Sequence, residues 1–447
     1  MRRLTHTRPT SSIDMNTPTV RLVLMGLVSC AFLAGQTVDD TELMQAIIFG
    51  RHSVRSPLVD NGFLDNYSAQ PFPDFGIPPG NLTANGARLE TILGGYYRLW
   101  LTQQGLLTGN DAADANFVYF RANTLERTRA SAQAFAAGLL PSATITVNTY
   151  QQGSDPLFDP VGAGVAQFDS RKQVAAVEGR LGGDPQLLAT TYAAEYALLR
   201  SVLFNYPSTQ TPAPATAAGK TDVTTLPITV TAGLPVNVGG LPLVDLMSSS
   251  FLLEYAEGMP AEDVAWGQLA PATISQLSRL TTLILDVQYR TPYLAEVQSS
   301  NVASHIVRSL VQSATGNAMP GSLGDPHTKL IVLIASDVNV TGLAGLLHLD
   351  WTLPGYQPNF CSLGGALVFE LRQSQSTGEF VIRASYVSQT LDQLRNQTAL
   401  TLHTPPASAP VFIPGCSRRN ATFDCPFGQL VELAKRVIDP ESTDLKN

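Results

Sequence analysis

Short apolar runs alternate along this chain with longer segments of helical periodicity. The runs LMQAIIF (43–49), FVYFRA (117–122) and KLIVLIAS (329–336) contain almost no polar alternation, which is typical of strands buried on both faces of a sheet. Apolar residues at helical spacing follow at 87–100, 129–140 and 342–349, the first after an irregular Pro-, Gly-, Asn- and Asp-rich loop over 58–83. The pattern predicts an α/β fold: a large α/β domain with a central, mainly parallel sheet covered on both faces.

The middle of the chain has a different pattern. From 167 to 290 it is largely helical, as in LLATTYAAEYALLRSVL (187–203) and ISQLSRLTTLILDVQY (274–289), and a Pro/Ala/Thr-rich loop interrupts it at 207–222. We therefore predict an inserted, mostly α-helical domain over 167–290. Residues 36–166 and 291–447 would form the two parts of the α/β domain.

The N-terminus has the pattern of an export signal. Basic residues precede the uncharged stretch LVLMGLVSCAFLA (22–34), which is shorter than the roughly 20 apolar residues of a membrane span. We predict an export signal over 1–35 and a periplasmic or secreted protein, with translation starting at Met1 or Met15. LVSC resembles a lipoprotein processing box, which leaves lipid anchoring at Cys30 open, and a buried N-terminal helix is the alternative.

Charge and cysteine content narrow the class of protein. The net charge of −8 argues against nucleic-acid binding, which needs a basic face, but a local basic pocket for a small anion remains compatible with it. Of four cysteines, Cys416 and Cys425 flank a polar stretch that a disulfide could close in an oxidising compartment. No Cys/His spacing indicates zinc.

The stretch GRHSVRSP (50–57) directly follows the first apolar run. Two guanidinium groups beside an imidazole could form a site for an anion such as phosphate. The paired N–H donors of arginine fit the phosphate oxygens, and the neutral imidazole of histidine could attack the bound phosphate as a nucleophile. The same residues could also form a solvated surface turn, and the short motif alone does not decide between the two.

Further stretches carry a resemblance to a known family. The RH-x-x-R-x-P motif and ANTLERTRASAQAFAAGLLP (122–141) resemble the histidine acid phosphatases. Four further stretches resemble the bacterial periplasmic branch of that family, which contains glucose-1-phosphatases and phytases. They are DPLFDPVGAG (155–164), LLEYAEGMPAEDVAWGQL (252–269), LDWTLPG (349–355) and DQLRNQTALTLHTPP (392–406). The pair Cys416 and Cys425 fits a disulfide of that branch.

The resemblance implies a phosphomonoester hydrolase that acts through a phosphohistidine. His52 would be the nucleophile, Arg51, Arg55 and Arg127 would bind the phosphate, and Asp337 would donate a proton to the leaving group. Arg129 would be a charge on the helix surface. The resemblance implies no metal, no cofactor, no nucleic acid and no membrane span; the partner is a small phosphate ester, and the oligomeric state is not indicated.

One position departs from the family. Ser336 stands where the family has a second histidine beside its aspartate, and a serine hydroxyl is a weaker, neutral donor. Neither His327 nor His348 is expected to replace it. The sequence thus leaves open a weakly active or inactive homologue that binds phosphate esters.

The substrate is predicted from two positions. Glu257 matches a sugar-contacting glutamate of the glucose-1-phosphatases and would repel a polyphosphorylated ring. Val59 stands where phytases of this branch often carry a lysine. We therefore expect sugar phosphates such as glucose 1-phosphate as substrates, with phytate as the alternative.

Overall fold

The computed structural model describes residues 39–204 and 219–445. In these residues the strands, numbered β1 to β10 in chain order, are Thr41–Arg51, Val118–Ala122, Val147–Asn148, Val230–Thr231, Asn237–Val238, Leu330–Ala335, Ala366–Ser374, Phe380–Ser388, Ala407–Val411 and Cys425–Pro426. The α-helices, numbered α1 to α13, are Asn61–Leu64, Ala84–Gln103, Asp111–Asp114, Glu126–Leu139, Ser170–Arg180, Leu187–Thr191, Ala193–Phe204, Leu241–Glu257, Pro271–Tyr289, Pro292–Thr315, Asp337–Leu346, Leu391–Arg395 and Phe427–Val437.

Eight of the described strands form one mixed sheet in the order β10-β8-β7-β1-β6-β2-β3, with β9 also paired to β8. Strands β1, β6, β2 and β3 run parallel to one another, and β7 to β10 are antiparallel to their neighbours. The predicted α/β fold with a parallel central sheet is confirmed. The antiparallel half was not predicted, because its strands carry no signal as clear as the three apolar runs.

The central strands are buried on both faces, as their composition predicts. Ile47 and Phe49 of β1 pack into one apolar core, while the alternate residues Ala46 and Ile48 pack into a second core on the opposite face. Successive strand side chains point to opposite faces, so a strand covered on both sides needs an unbroken apolar run. This explains why the strong signals lie in the centre of the sheet.

Helices α2 and α4 pack closely on the second core. A Cβ atom at Gly94 of α2 would lie 2.2 Å from the carbonyl oxygen of Phe135, and one at Gly138 of α4 would lie 2.0 Å from that of Thr91. Glycine at both positions is therefore what lets the two backbones meet. This contact lies at the C-terminal end of α4, whose first turn carries Arg127.

The described part of 167–290 is mainly helical, with α5 to α9 and the small β4–β5 pair. Helix α9 packs on α8 within this range and on α10 and α11 outside it. The boundaries of an inserted domain therefore stay a prediction. The predicted irregular loop over 58–83 contains the one-turn helix α1 and a short 3₁₀ turn at Asp65–Tyr67.

Two predictions about the chain termini have different outcomes. Cys416 and Cys425 form a disulfide with a Cα–Cα distance of 5.0 Å, while Cys361 is buried and unpaired. The export signal over 1–35, with Cys30, lies outside the described residues. Among the helices that the structure describes, none is long and apolar enough to cross a membrane.

Candidate active site

Three parallel neighbours of the sheet bring the predicted residues together. Arg51 of β1 pairs with Ala335 of β6, and the next residue, His52, donates its backbone N–H to the carbonyl of Ala335 at 2.9 Å. On the other side of β6, Asn123 donates to Ile334 at 3.0 Å. The carboxyl ends of parallel strands meet at one edge of a sheet, which is where ligands bind in folds of this class.

His52 is buried at this edge and has one side-chain hydrogen bond. Its Nδ1 lies 2.8 Å from the backbone oxygen of Ser53. A carbonyl oxygen only accepts, so Nδ1 carries the hydrogen and Nε2 of the neutral ring keeps its lone pair. Burial, followed by the charges of Arg51, Arg55 and Arg127, holds the pKa of His52 well below its usual value. Both effects favour the neutral imidazole, whose Nε2 can act as a nucleophile.

Arg51 is fixed by two partners. Its Nη1 donates to the backbone oxygen of Cys361 at 2.5 Å, and its Nη2 lies 2.8 Å from Oδ2 of Asp337. Burial alone would lower the pKa of Arg51, but the Asp337 carboxylate and weaker interactions raise it above its usual value. The guanidinium is permanently charged and links the end of β1 to Asp337.

Arg55 and Arg127 complete the cluster of guanidinium groups. Arg55 Nη1 donates to the oxygen of Ser56 at 2.8 Å, and Arg127 Nη1 donates to that of Gly80 at 3.3 Å. Burial and the neighbouring charge of Arg51 lower the pKa of Arg55 to about 9, so it still carries its charge at neutral and acid pH. The buried Nε–H groups of both arginines have no acceptor in the described protein, a costly arrangement unless an anion binds there.

Ser336 and Asp337 lie at the start of helix α11. Ser336 is the N-cap residue, and its backbone N–H donates to Oδ1 of Asn339 at 3.2 Å. Asp337 Oδ1 accepts from the N–H of Val338 at 2.9 Å. The helix N-terminus adds partial positive charge to the same end of the site.

Among the residues that the structure describes, no second histidine lies in the cleft beside Ser336. Of the histidines in the described residues, His52 is the one that lines the cleft. His305 is bonded to Gly321 and Asp444, His327 and His403 are exposed, and His348 lies at a separate depression.

These residues open into a cleft of about 600 Å³. His52, Arg55, Arg127, Ser336 and Asp337 line its inner end, and Arg129 is exposed on α4 away from it. The remaining walls come from the loop 153–162 and from residues of α8, α9 and α10. The cleft is large enough to hold a phosphate ester with a sizeable alcohol group.

Glu257 is not among the residues that line this cleft. Its Oε2 accepts a 2.6 Å hydrogen bond from Oγ1 of Thr83, and Thr83 in turn accepts from the N–H of Gly86 at the start of α2. The carboxyl group of Glu257 therefore bonds to the N-cap residue of α2 and does not face the cleft. Its predicted contact with a sugar stays a prediction.

Sequence analysis missed several polar residues of the cleft, among them Asp245 and Asn339. Asp245 of α8 lines it, and burial followed by the charge of Asp337 raises its pKa to about 6, although the Thr281 hydroxyl lowers it. Asn339 also lines the cleft and donates its amide to the oxygen of Phe158 at 2.6 Å. Asp245 lies in a helix without a recognisable motif, and Asn339 could have been found from its N3 position in the helix that Ser336 caps.

The described residues contain no group of three or more His, Cys, Asp and Glu side chains arranged to hold a metal ion. The donors that face the inner end are guanidinium groups, which bind anions. The arrangement can bind a phosphoryl group, attack it with Nε2 of His52 and protonate its leaving group from Asp337.

Known proteins share this sequence pattern. A sequence model described as the histidine phosphatase superfamily (branch 2) matches residues 42–187. Phytase AppA of Escherichia coli is 31% identical over 420 residues, which cover 91% of this chain and 94% of the relative. A glucose-1-phosphatase of Salmonella typhimurium is 29% identical over 398 residues, 87% of this chain and 91% of the relative.

Solved structures are similar over the same extent. The phytase of Hafnia alvei in complex with myo-inositol hexakis sulphate has a TM-score of 0.81 and 31% identity, and the match covers 91% of this chain and 99% of that one. The phytase of Citrobacter braakii has a TM-score of 0.81 and 30% identity over 90% of this chain and 100% of that one.

Proposed function

Because the chain belongs to the histidine phosphatase superfamily (branch 2), we propose that it hydrolyses phosphate monoesters through a phosphohistidine at His52. The observation that carries this proposal is the state of His52. Its Nδ1 is bonded to a carbonyl oxygen, and burial, followed by the charges of three arginines, lowers the pKa of the ring, so Nε2 is free to attack phosphorus.

In the first half of the reaction, Arg55 and Arg127 bind the non-bridging phosphate oxygens. Arg51 does not line the cleft and is bonded to a backbone oxygen and to Asp337, so its predicted phosphate contact stays a prediction. Nε2 of His52 forms a bond to phosphorus while the bond from phosphorus to the ester oxygen breaks. The proton on Asp337 passes to that oxygen, so the alcohol leaves neutral. The guanidinium charges stabilise the negative charge on the transferring group.

In the second half, water attacks the phosphohistidine. The Asp337 carboxylate accepts the proton of the water, the phosphorus–nitrogen bond breaks, and inorganic phosphate leaves. His52 returns to its neutral form with the hydrogen still on Nδ1. Asp337 therefore acts first as acid and then as base.

We propose singly phosphorylated esters, such as glucose 1-phosphate, as better substrates than phytate. The arginines of the described cleft lining are Arg55 and Arg127, and no lysine lines it, whereas Asp159 and Asp245 line the same cleft. One phosphate can be neutralised at the inner end, but further phosphates on a ring would meet carboxylates.

Two other functions have one observation each in their favour. Phytate hydrolysis is favoured by the similarity to phytases, one of which is 31% identical to this chain. Binding without turnover is favoured by Ser336, since it supplies one weaker donor where the family has an imidazole.

Rapid quenching with radiolabelled glucose 1-phosphate tests the proposal. We expect a base-stable, acid-labile adduct in the wild type and none in His52→Ala, which should lose turnover by a factor of roughly 10³ or more. His403→Ala is the matched control, because His403 is exposed and does not line the cleft.

The same assay separates the alternatives. A higher kcat/KM for phytate than for glucose 1-phosphate would favour the phytase alternative. Phosphate binding without any turnover would favour the binding protein, and full activity of His52→Ala would contradict the mechanism itself.

We also propose that the protein acts in the periplasm or outside the cell. Support comes from the basic and apolar pattern over residues 1–35 and from the disulfide between Cys416 and Cys425, which persists in oxidising compartments. Fractionation of cells that express the full chain tests this proposal.

A further inference from the structure

Three exposed leucines lie around the opening of the catalytic cleft. Leu58 is 51% exposed, Leu125 is 38% exposed and Leu234 is 71% exposed, and all three line the cleft that contains His52. We call Leu58, Leu125 and Leu234 the leucine rim. Single exposed apolar residues are ordinary on a protein surface, whereas several around one cleft indicate a binding site.

The leucine rim is close to the phosphate-binding arginines. Leu58 and Arg127 both lie against Gly80, since a Cβ atom built there would be 3.4 Å from Leu58 Cδ2 and 3.5 Å from Arg127 Nη1. Leu125 is the N-cap residue of α4, two positions before Arg127. One phosphate ester can therefore contact both sets of residues, with its phosphate bound by the arginines and its alcohol portion against the leucines.

The cleft wall continues this apolar surface inward. Phe158, Val161, Phe168, Pro235, Leu285 and Val302 are among its lining residues. Apart from Arg55 and Arg127, the charged side chains among its lining residues are carboxyl groups, such as Asp159 and Asp245. This lining disfavours a second anionic group on the substrate and favours an uncharged apolar one.

From this arrangement we infer that the preferred substrates are phosphate monoesters of alcohols that carry an apolar alkyl or aryl group, which the leucine rim contacts. The inference rests on the proposed phosphomonoesterase function and names its substrate class. Burial of apolar surface against the rim would add binding energy remote from the reacting phosphate. Such energy raises kcat/KM with the length of the apolar group.

A series of straight-chain alkyl phosphates, from ethyl to butyl to hexyl phosphate, tests the inference. Their alcohols are nearly equal leaving groups, so differences in kcat/KM report binding of the chain and not the chemistry. At acid pH we expect kcat/KM to rise with chain length by up to about fourfold for each CH₂ group that becomes buried.

Variants of the rim identify the surface responsible. Leu234→Ser should reduce the ratio of kcat/KM for hexyl phosphate to that for ethyl phosphate, and Leu58→Ser should do the same. Leu187→Ser is the matched control: Leu187 is 52% exposed and does not line the cleft, so this ratio should stay at its wild-type value. A ratio near one in the wild type, or an equal effect of Leu187→Ser, would overturn the inference.

A binding measurement keeps the inference separate from the proposed function. If no ester is turned over, the phosphatase proposal fails. Calorimetric affinities for methylphosphonate and hexylphosphonate then test whether the leucine rim binds an alkyl chain. Tighter binding of hexylphosphonate, lost in Leu234→Ser, supports the leucine rim as a binding surface. Equal affinities for the two phosphonates overturn it.

Discussion

At the scale of single residues, the cleft contains a carboxyl group with a raised pKa. Asp245 lines the cleft beside His52 and Arg55. Burial, then the charge of Asp337, raises its pKa to about 6, while Thr281, Arg55 and Arg51 oppose the shift. Below that pH the group is neutral, and above it the carboxylate repels a bound phosphate.

The substitution Asp245→Asn should therefore change the pH profile. We expect variant and wild type to have similar kcat/KM near pH 5, whereas near pH 7 to 8 the variant should be roughly tenfold more active, equivalent to about 1.4 kcal/mol. The substrate's own ionisation affects both proteins equally and cancels in their ratio.

Asp159→Asn is the matched control for this prediction. Asp159 lines the same cleft but accepts a hydrogen bond from the N–H of Gly162 at 2.9 Å. If the ratio of Asp245→Asn to wild type does not depend on pH, or Asp159→Asn gives the same pH dependence, Asp245 does not control the profile.

At the scale of elements, helix α8 holds a strained turn through one carboxyl group. Glu254 Oε2 accepts from the N–H of Ala265 at 2.8 Å. Ala265 and Trp266 have φ values of 48° and 54°, in the left-handed region that non-glycine residues seldom adopt. The Trp266 ring packs against Phe72 and against Phe251 of α8, and this contact holds the turn against the helix.

The stability of the fold should depend on the protonation of Glu254. Burial is the main cause that raises its pKa to about 8, and Asp263 adds to it. A raised pKa in the folded state stabilises the protein below the unfolded value near 4.5, and this contribution is lost as pH rises towards 8. We expect the free energy of unfolding of the wild type to fall from pH 5 to 8 relative to that of Glu254→Gln.

Urea unfolding at several pH values measures this difference. Glu262→Gln is the control, because Glu262 is exposed in the same turn and its substitution should leave the pH dependence of the wild type intact. A constant difference between wild type and Glu254→Gln from pH 5 to 8 would contradict the prediction.

At the scale of the whole molecule, the disulfide ties the C-terminal segment to the sheet. Cys425 lies in β10 opposite Ile382 of β8, and its bond to Cys416 closes a loop with a sequence separation of 9. Closing such a loop restricts the unfolded chain, which corresponds to roughly 2–3 kcal/mol. The double substitution Cys416→Ser and Cys425→Ser should lower the free energy of unfolding by about this amount.

A reducing agent provides the control for the disulfide. It should destabilise the wild type and leave the double variant unchanged, since Cys361 is unpaired in the folded protein. Equal destabilisation of both proteins by the reductant would show that another effect is responsible.

The sequence by itself determined the central strands and the inner end of the site. Residues 43–49 and 329–336 are apolar without interruption because their strands are buried on both faces, and that requirement is visible in any one segment. His52 lies directly after the first of these strands and Asp337 lies two residues after the second, so the sequence also placed both residues at strand ends. Their roles, and that of Arg55, came from the family resemblance over separate stretches of the chain and stay predictions.

Only the tertiary structure decided what surrounds that inner end. Asp245 and Leu234 lie far from His52 in sequence and reach the cleft through packing of helices and loops, for which no local pattern exists. Glu257 lies in a motif, yet its carboxyl group contacts Thr83, because the direction of a helical side chain depends on how the helix packs. The residues at the strand ends are therefore visible in the local sequence, whereas the walls of the cleft depend on long-range contacts.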